Sequence, residues 1–315
     1  MATWLPIVLF IDRALPMAPF AEALAGEVEC RDSIDPAQAE RVIALVTASE
    51  PVGAAQVRPF HGLRLVLTCS TGTDHVDMAQ LTERGVTVAN TPTYCSDEVA
   101  DHALACVLAG WRGLWTLGSD VRAGDWEPET MLRRFDAQRL GIIGLGRIGK
   151  RLAHRARALG IDVVGCDPVA AATAGDVPRV SLDELLSSCD AVSLHLPGRP
   201  GEPPLLGSAE IARMKAGALL VNLARASLVD VDAVVAALES GALGGAAFDV
   251  WASEPPAPDD SRLQTRGLLV TPHVGWSSPQ ADDAWRDEAI AALRAVLTGG
   301  GEPCAGRRRT ADYAV

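Results

Sequence analysis

Short runs of apolar, mostly β-branched residues alternate with stretches of helical periodicity along nearly the whole chain. That rhythm predicts an α/β protein with parallel sheets, because parallel strands need helical crossovers. In the first part, strands are expected at residues 7–11, 28–31, 42–47, 63–69 and 86–90, with helices between them at 19–24 and 78–84. One long helix is expected at 96–117, with Ser96 as its N-cap and Asp97 and Glu98 in its first turn. Its apolar residues lie on all sides, as in a buried core helix or a subunit-interface helix. A second series follows, with strands at 140–143, 162–166, 191–196, 218–223, 246–250 and 268–271. A last helix at 279–297 comes after the final strand and is free to cross back to the first series.

Composition narrows the function classes. The chain has 315 residues, 48% of them hydrophobic, and a net charge of −12. The length suits two domains, and the acidity argues against nucleic-acid binding. No run reaches the length of a membrane span, so no membrane partner is expected. The apolar segment near the N-terminus is short, lacks a basic start and runs into Asp12 and Arg13, which suits a first strand. Seven scattered cysteines, none in a CxxC pair, read as buried thiols of a reducing, cytoplasmic compartment, and no metal site is expected.

The stretch "LGIIGLGRIGKRLAHRARALGIDVVGCDP" carries a dinucleotide turn. Gly144, Gly146 and Gly149 form GxGxxG between a strand and a helix, so the helix N-terminus faces the phosphates. Arg147 and Ile148 open that helix, and Pro197 follows the strand at 191–196; both places are expected against the cofactor. Asp167 ends the next strand, about 20 residues beyond the turn, where a carboxylate accepts from the ribose hydroxyls. A carboxylate there repels a 2′-phosphate, and Pro168, Val169 and Ala170 supply no cation, so NAD is expected over NADP.

Ligands of open α/β sheets sit beyond the carboxyl ends of the strands. The strand in "LLVNLARASLVD" delivers Arg225 there, "AAFDVWASEP" carries Asp249 and Glu254, and "LLVTPHVGW" ends at His273. A buried unpaired guanidinium is costly, so an anionic substrate would explain Arg225. Histidine suits proton transfer near neutral pH, and a carboxylate beside it orients the ring. Together these residues predict alcohol–carbonyl interconversion by hydride transfer.

The blocks "MKAGALLVNLARASLVD", "FDVWASEPP" and "TPHVGW", with GLGRIG before them, resemble the D-isomer-specific 2-hydroxyacid dehydrogenase family over nearly the whole chain. The resemblance implies two Rossmann-like or flavodoxin-like domains, a NAD-binding domain at 96–281 being inserted in a discontinuous substrate domain of 1–95 plus 282–315. It implies Arg225, Glu254 and His273 as catalytic residues, Asp249 on the nicotinamide carboxamide, a small 2-hydroxy or 2-keto acid as substrate, and a homodimer. In the loop "CSTGTDHVD" it implies substrate contacts from Thr71 and Gly72. Ser70 stands where the family has glycine and is expected to add a hydroxyl donor; Ala226 likewise replaces a glycine after the arginine. The family's corepressor-like members leave a second reading, a NAD(H)-sensing protein with little turnover.

Overall fold

The computed structural model describes residues 4–127, 132–167, 177–198 and 201–297. In chain order the elements are β1 (Ile7–Phe10), α1 (Ala18–Ala23), β2 (Glu29–Arg31), β3 (Val42–Thr47), α2 (Ala54–Val57), β4 (Leu65–Thr68), α3 (Met78–Glu83) and β5 (Thr87–Asn90). There follow α4 (Ser96–Trp111), α5 (Leu114–Arg122), β6 (Arg139–Ile143), α6 (Arg147–Ala158), β7 (Asp162–Cys166), α7 (Leu182–Ser188), β8 (Ala191–Leu194) and α8 (Ser208–Ile211). The rest are β9 (Ala218–Asn222), α9 (Val231–Glu239), β10 (Leu243–Phe248), β11 (Leu268–Val270) and α10 (Pro279–Leu297). The described residues separate into two compact units, 4–95 with 278–297, and 96–277.

The first unit holds a five-stranded parallel sheet in the order β2-β1-β3-β4-β5, the flavodoxin-like arrangement. One face is covered by a layer that includes Leu81, Val57 and Val52. On the other, Trp285, Ala289, Ala292 and Leu293 of α10 pack with Phe20 of α1 against Val8, Phe10, Leu65 and Leu67. The last helix therefore belongs with the first sheet, and its apolar side, repeating at helical spacing, is what places it there.

The second unit holds six parallel strands in the order β7-β6-β8-β9-β10-β11. Its helices are stopped and started by local chemistry. The Ser181 hydroxyl accepts from Glu184 N–H at 3.1 Å to cap α7, and Asp230 caps α9 through Asp232 and Ala233. The expected long helix is two: Gly113 takes a left-handed φ of 65° and separates α4 from α5. A left-handed residue ends a helix, and glycine adopts it without steric cost.

β10 starts three residues earlier than expected, at Leu243, because Gly244 and Gly245 belong to the strand. A Cβ at Gly244 would collide with the Gly217 carbonyl oxygen, and one at Gly245 would come within 2.7 Å of the Trp115 ring. Those glycines admit a close neighbour and do not mark a turn.

Candidate active site

The strand order of the second sheet reverses between β6 and β8, which places a crevice beyond their carboxyl ends. β6 runs into Gly144, with φ of 96°; a Cβ there would lie 2.5 Å from the His195 carbonyl oxygen. Gly146 caps α6 and has nothing within 4 Å of a built Cβ, so open ground lies over the helix N-terminus. Arg147 and Ile148 are the first two residues of that helix. At Gly149 a Cβ would collide with the Gly144 carbonyl oxygen. Asp167 directly follows β7, and its Oδ2 accepts from Leu145 N–H at 2.7 Å, joining the acidic residue to the glycine turn.

This cradle fits a dinucleotide. Open space lies where a pyrophosphate would approach, first-turn N–H groups have no acceptor within the helix, and a carboxylate sits at the ribose position. Pro197 lies part-buried just past β8, at the same crevice. Pro168, Val169 and Ala170 lie outside the described residues. The sequence reading missed Arg179, whose Nη2 donates to the Asp167 carbonyl oxygen. It binds the backbone oxygen there, while the Asp167 carboxylate accepts from Leu145 N–H.

Three neighbouring strand ends place the remaining residues. At the end of β9, Asn222 is fully buried; its Nδ2 donates to the Arg225 carbonyl at 2.9 Å and its Oδ1 accepts from Ala224 N–H at 3.1 Å. This side-chain brace turns the chain so that Arg225 emerges half-buried in extended conformation, its Nη1 donating to the Ala224 carbonyl at 2.7 Å. Ala226 then opens a short 3-10 turn with ordinary backbone. His273 is the one described non-glycine residue with positive φ, so alanine at 226 carries no strain.

At the end of β10, Asp249 is 3% exposed. Its Oδ1 accepts from the Thr271 hydroxyl at 2.6 Å and Val274 N–H at 2.9 Å, and its Oδ2 from Gly275 N–H at 2.7 Å. His102 of α4 meets the same Thr271 hydroxyl at 3.2 Å. The single threonine proton goes to Asp249, so His102 Nε2 is the donor. A residue expected only on the cofactor is thus also the hub that holds the loop after β11.

That loop carries His273 at φ of 52°. A left-handed histidine costs about 1–3 kcal/mol and persists only where its surroundings enforce it. Here the three bonds to Asp249 enforce it. His273 Nδ1 lies 2.6 Å from Glu254 Oε2, and Glu254 Oε1 accepts from Trp251 N–H at 2.9 Å. The side chains are 47% and 39% exposed, so the dyad opens to solvent. A carboxylate at Nδ1 holds a proton there and leaves Nε2 for chemistry. His195 makes a contrast: burial pushes its imidazole down to about 4, although its surface is only part-covered, and it bonds to the Ser193 hydroxyl at 2.9 Å. The lowered value favours the neutral ring over the imidazolium.

In the first unit, the loop after β4 is tied to itself. Asn90 Nδ2 donates to the Thr71 carbonyl at 2.8 Å, and the Ser70 hydroxyl donates to the Gly72 carbonyl at 2.8 Å. Ser70 Oγ also lies 2.7 Å from Thr68 Oγ1, itself 3.0 Å from His75 Nε2. A planar peptide points its N–H opposite its carbonyl, so these anchors also fix the directions of the Gly72 and Thr73 N–H groups. The Ser70 proton is spent on Gly72, which corrects the expectation of a donor to substrate. In the cofactor unit, Arg133 pairs with Asp190 at 3.6 Å and Arg134 with Asp136 at 2.5 Å.

Among the described residues no group of His, Cys, Asp and Glu is arranged to hold a metal, and no helix is long and apolar enough to cross a membrane.

Residues 104–275 match the family model described as the D-isomer specific 2-hydroxyacid dehydrogenase, NAD binding domain. The chain is 34% identical over 261 residues to glycerate dehydrogenase of Methylorubrum extorquens, covering 79% of this chain and 81% of that one. It is 34% identical over 306 residues to D-3-phosphoglycerate dehydrogenase of Mycobacterium tuberculosis, covering 94% of this chain and 57% of that one; it thus spans little more than half the length of this second relative. A glyoxylate reductase structure from Paecilomyes thermophila superimposes with a TM-score of 0.81 at 26% identity, covering 93% of this chain and 95% of that one. The chain belongs to the D-isomer specific 2-hydroxyacid dehydrogenase family.

Proposed function

We propose that this chain reduces a small 2-keto acid to the D-2-hydroxy acid, and runs the reverse oxidation, with Glu254 and His273 as its acid–base pair. The observation that carries the reading is the 2.6 Å contact between His273 Nδ1 and Glu254, beside a dinucleotide turn. NAD, when bound, supplies or takes the hydride. In reduction, His273 Nε2 gives its proton to the carbonyl oxygen as that oxygen gains charge; in oxidation the neutral imidazole takes the hydroxyl proton. Glu254 steadies the imidazolium and fixes the ring. Arg225 pairs with the substrate carboxylate and polarises the adjacent carbonyl. In the first unit, Thr71 and Gly72 offer backbone N–H groups as substrate contacts.

Gly144, Gly146, Arg147, Ile148 and Gly149 would hold the cofactor's pyrophosphate, with Pro197 lining the same crevice and Asp167 to accept from the ribose hydroxyls. Asp249 Oδ2 keeps acceptor capacity beyond its bond to Gly275 and would accept from the nicotinamide carboxamide. Residues 96–277 bind the cofactor and the other unit serves the substrate. The protein works as a homodimer in a cytoplasmic, reducing setting. Leu114, Val121, Trp126 and Leu132 are exposed within one stretch of the cofactor unit, which suits a subunit contact. Six cysteines of the described residues are free thiols.

The test is NADH oxidation with a panel that includes glyoxylate, hydroxypyruvate, phosphohydroxypyruvate and pyruvate. Turnover with at least one, and a lower KM for NADH than for NADPH, is expected. Tight NADH binding without turnover on any of them would favour the sensing protein instead.

A further inference from the structure

Behind Glu254 lies a cluster that the acid–base chemistry does not itself use. The loop from Trp251 to Arg262 leaves β10 and returns toward α9. Trp251 is buried, its ring edge-on to Phe248 with centroids 6.2 Å apart. Its indole Nε1 donates to Asp260 Oδ2 at 3.0 Å. Arg262 grips the same carboxylate with two prongs, Nε to Oδ1 at 2.8 Å and Nη2 to Oδ2 at 2.7 Å. The guanidinium also stacks over the Trp251 ring, 5.4 Å from its centroid, and reaches Asp232 of α9 at 3.2 Å. The backbone N–H of the same Trp251 holds Glu254 Oε1 at 2.9 Å.

We propose that Asp260 and Arg262 form a clamp that sets Trp251 and, through its N–H, the position of Glu254 against His273. They are positioning residues, and the inference rests on Glu254 and His273 being the acid–base pair. A two-pronged guanidinium–carboxylate bond fixes direction as well as distance, and Asp232 ties it to a helix of the scaffold. The carboxylate bearing on the histidine is itself partly exposed on an irregular loop. Without the clamp, nothing in its immediate loop beyond Trp251 N–H fixes Oε1. Only one oxygen of Glu254 faces the imidazole, so a small rotation of this carboxylate removes the contact. Misplacements of this size cost about a hundredfold where geometry governs rate.

The test compares Asp260→Ala, Trp251→Phe and Glu254→Gln with the wild-type protein in keto-acid reduction with NADH. Asp260→Ala is expected to lower kcat about ten- to a hundredfold while KM for the keto acid and the NADH dissociation constant move less than about threefold. Trp251→Phe keeps the ring and the backbone N–H but deletes the indole donor; a smaller fall in kcat of the same kind is expected. In the Glu254→Gln background, Asp260→Ala should add almost nothing, because both changes remove one interaction. Arg262→Lys keeps the charge with one prong and should fall between wild type and Asp260→Ala. If Asp260→Ala and Trp251→Phe leave kcat unchanged while Glu254→Gln is impaired, the clamp is overturned. An equal loss from Asp260→Ala in both backgrounds also overturns it. If Glu254→Gln itself retains wild-type turnover, the acid–base reading fails instead.

Discussion

Two loops leave the same sheet rim and carry opposite demands. The loop after β9 presents Arg225 with ordinary backbone; its brace is the buried Asn222 amide, and its next residue is an alanine. The loop after β11 presents His273 in a left-handed conformation, held by three hydrogen bonds to one buried carboxylate. A long cation finds an anion by adjusting its own side-chain torsions, so its backbone need not be strained. An imidazole that must meet Glu254 on one side and a reacting oxygen on the other has two torsions to adjust. For that group the backbone has to do the aiming.

This difference predicts how each loop breaks. The largest effect is expected at Asp249→Ala, which leaves the Thr271 hydroxyl and the Val274 and Gly275 N–H groups without their acceptor. Of the three, only the Gly275 N–H is buried, at about 1–3 kcal/mol when stranded, so a loss of roughly 1–3 kcal/mol in unfolding free energy should appear in urea titration, together with loss of turnover. Gly275→Ala comes next. Its Cβ would sit 2.8 Å from Asp249 Oδ2, so the loop must shift. About a tenfold fall in kcat is expected with KM for the keto acid little changed. The smallest effect is expected at Ala226→Gly, which restores the glycine that the family resemblance implies there. It should cost no more than about 1 kcal/mol through unfolded-state entropy and leave kcat and KM as they are. A large gain in activity from Ala226→Gly would break the comparison, since it would show that the arginine loop needs special backbone after all.

The difference between the loops also marks what could be read from the chain. Residues whose chemistry is rare in their setting stood out: an arginine ending a buried strand, a histidine ending another, and three glycines between a strand and a helix. So did the 19-residue amphipathic helix α10, because its period is long enough to be unambiguous. What did not stand out were residues whose meaning depends on a partner far along the chain. Asp249 is tied to Thr271, His102 to that same threonine, Trp251 to Asp260, and Arg179 to Asp167. No spacing rule links such pairs; the fold brings them together. Glycines misled in both directions. Gly113 ends a helix that hydropathy alone continues, and Gly244 and Gly245 lie inside a strand that glycine content alone ends. A hydroxyl at a binding loop suggests a donor to substrate; at Ser70 the Gly72 carbonyl claims that proton first.

The central claim is that His273, aimed by its loop and paired with Glu254, moves the proton while NAD carries the hydride. His273→Ala tests it most directly, assayed with the best keto acid of the panel and with NADH binding followed by fluorescence. The account predicts a fall in kcat of about 10²–10⁴-fold, the span of general acid–base catalysis, with NADH affinity unchanged. Turnover at the wild-type rate in a folded, NADH-binding His273→Ala protein would contradict it.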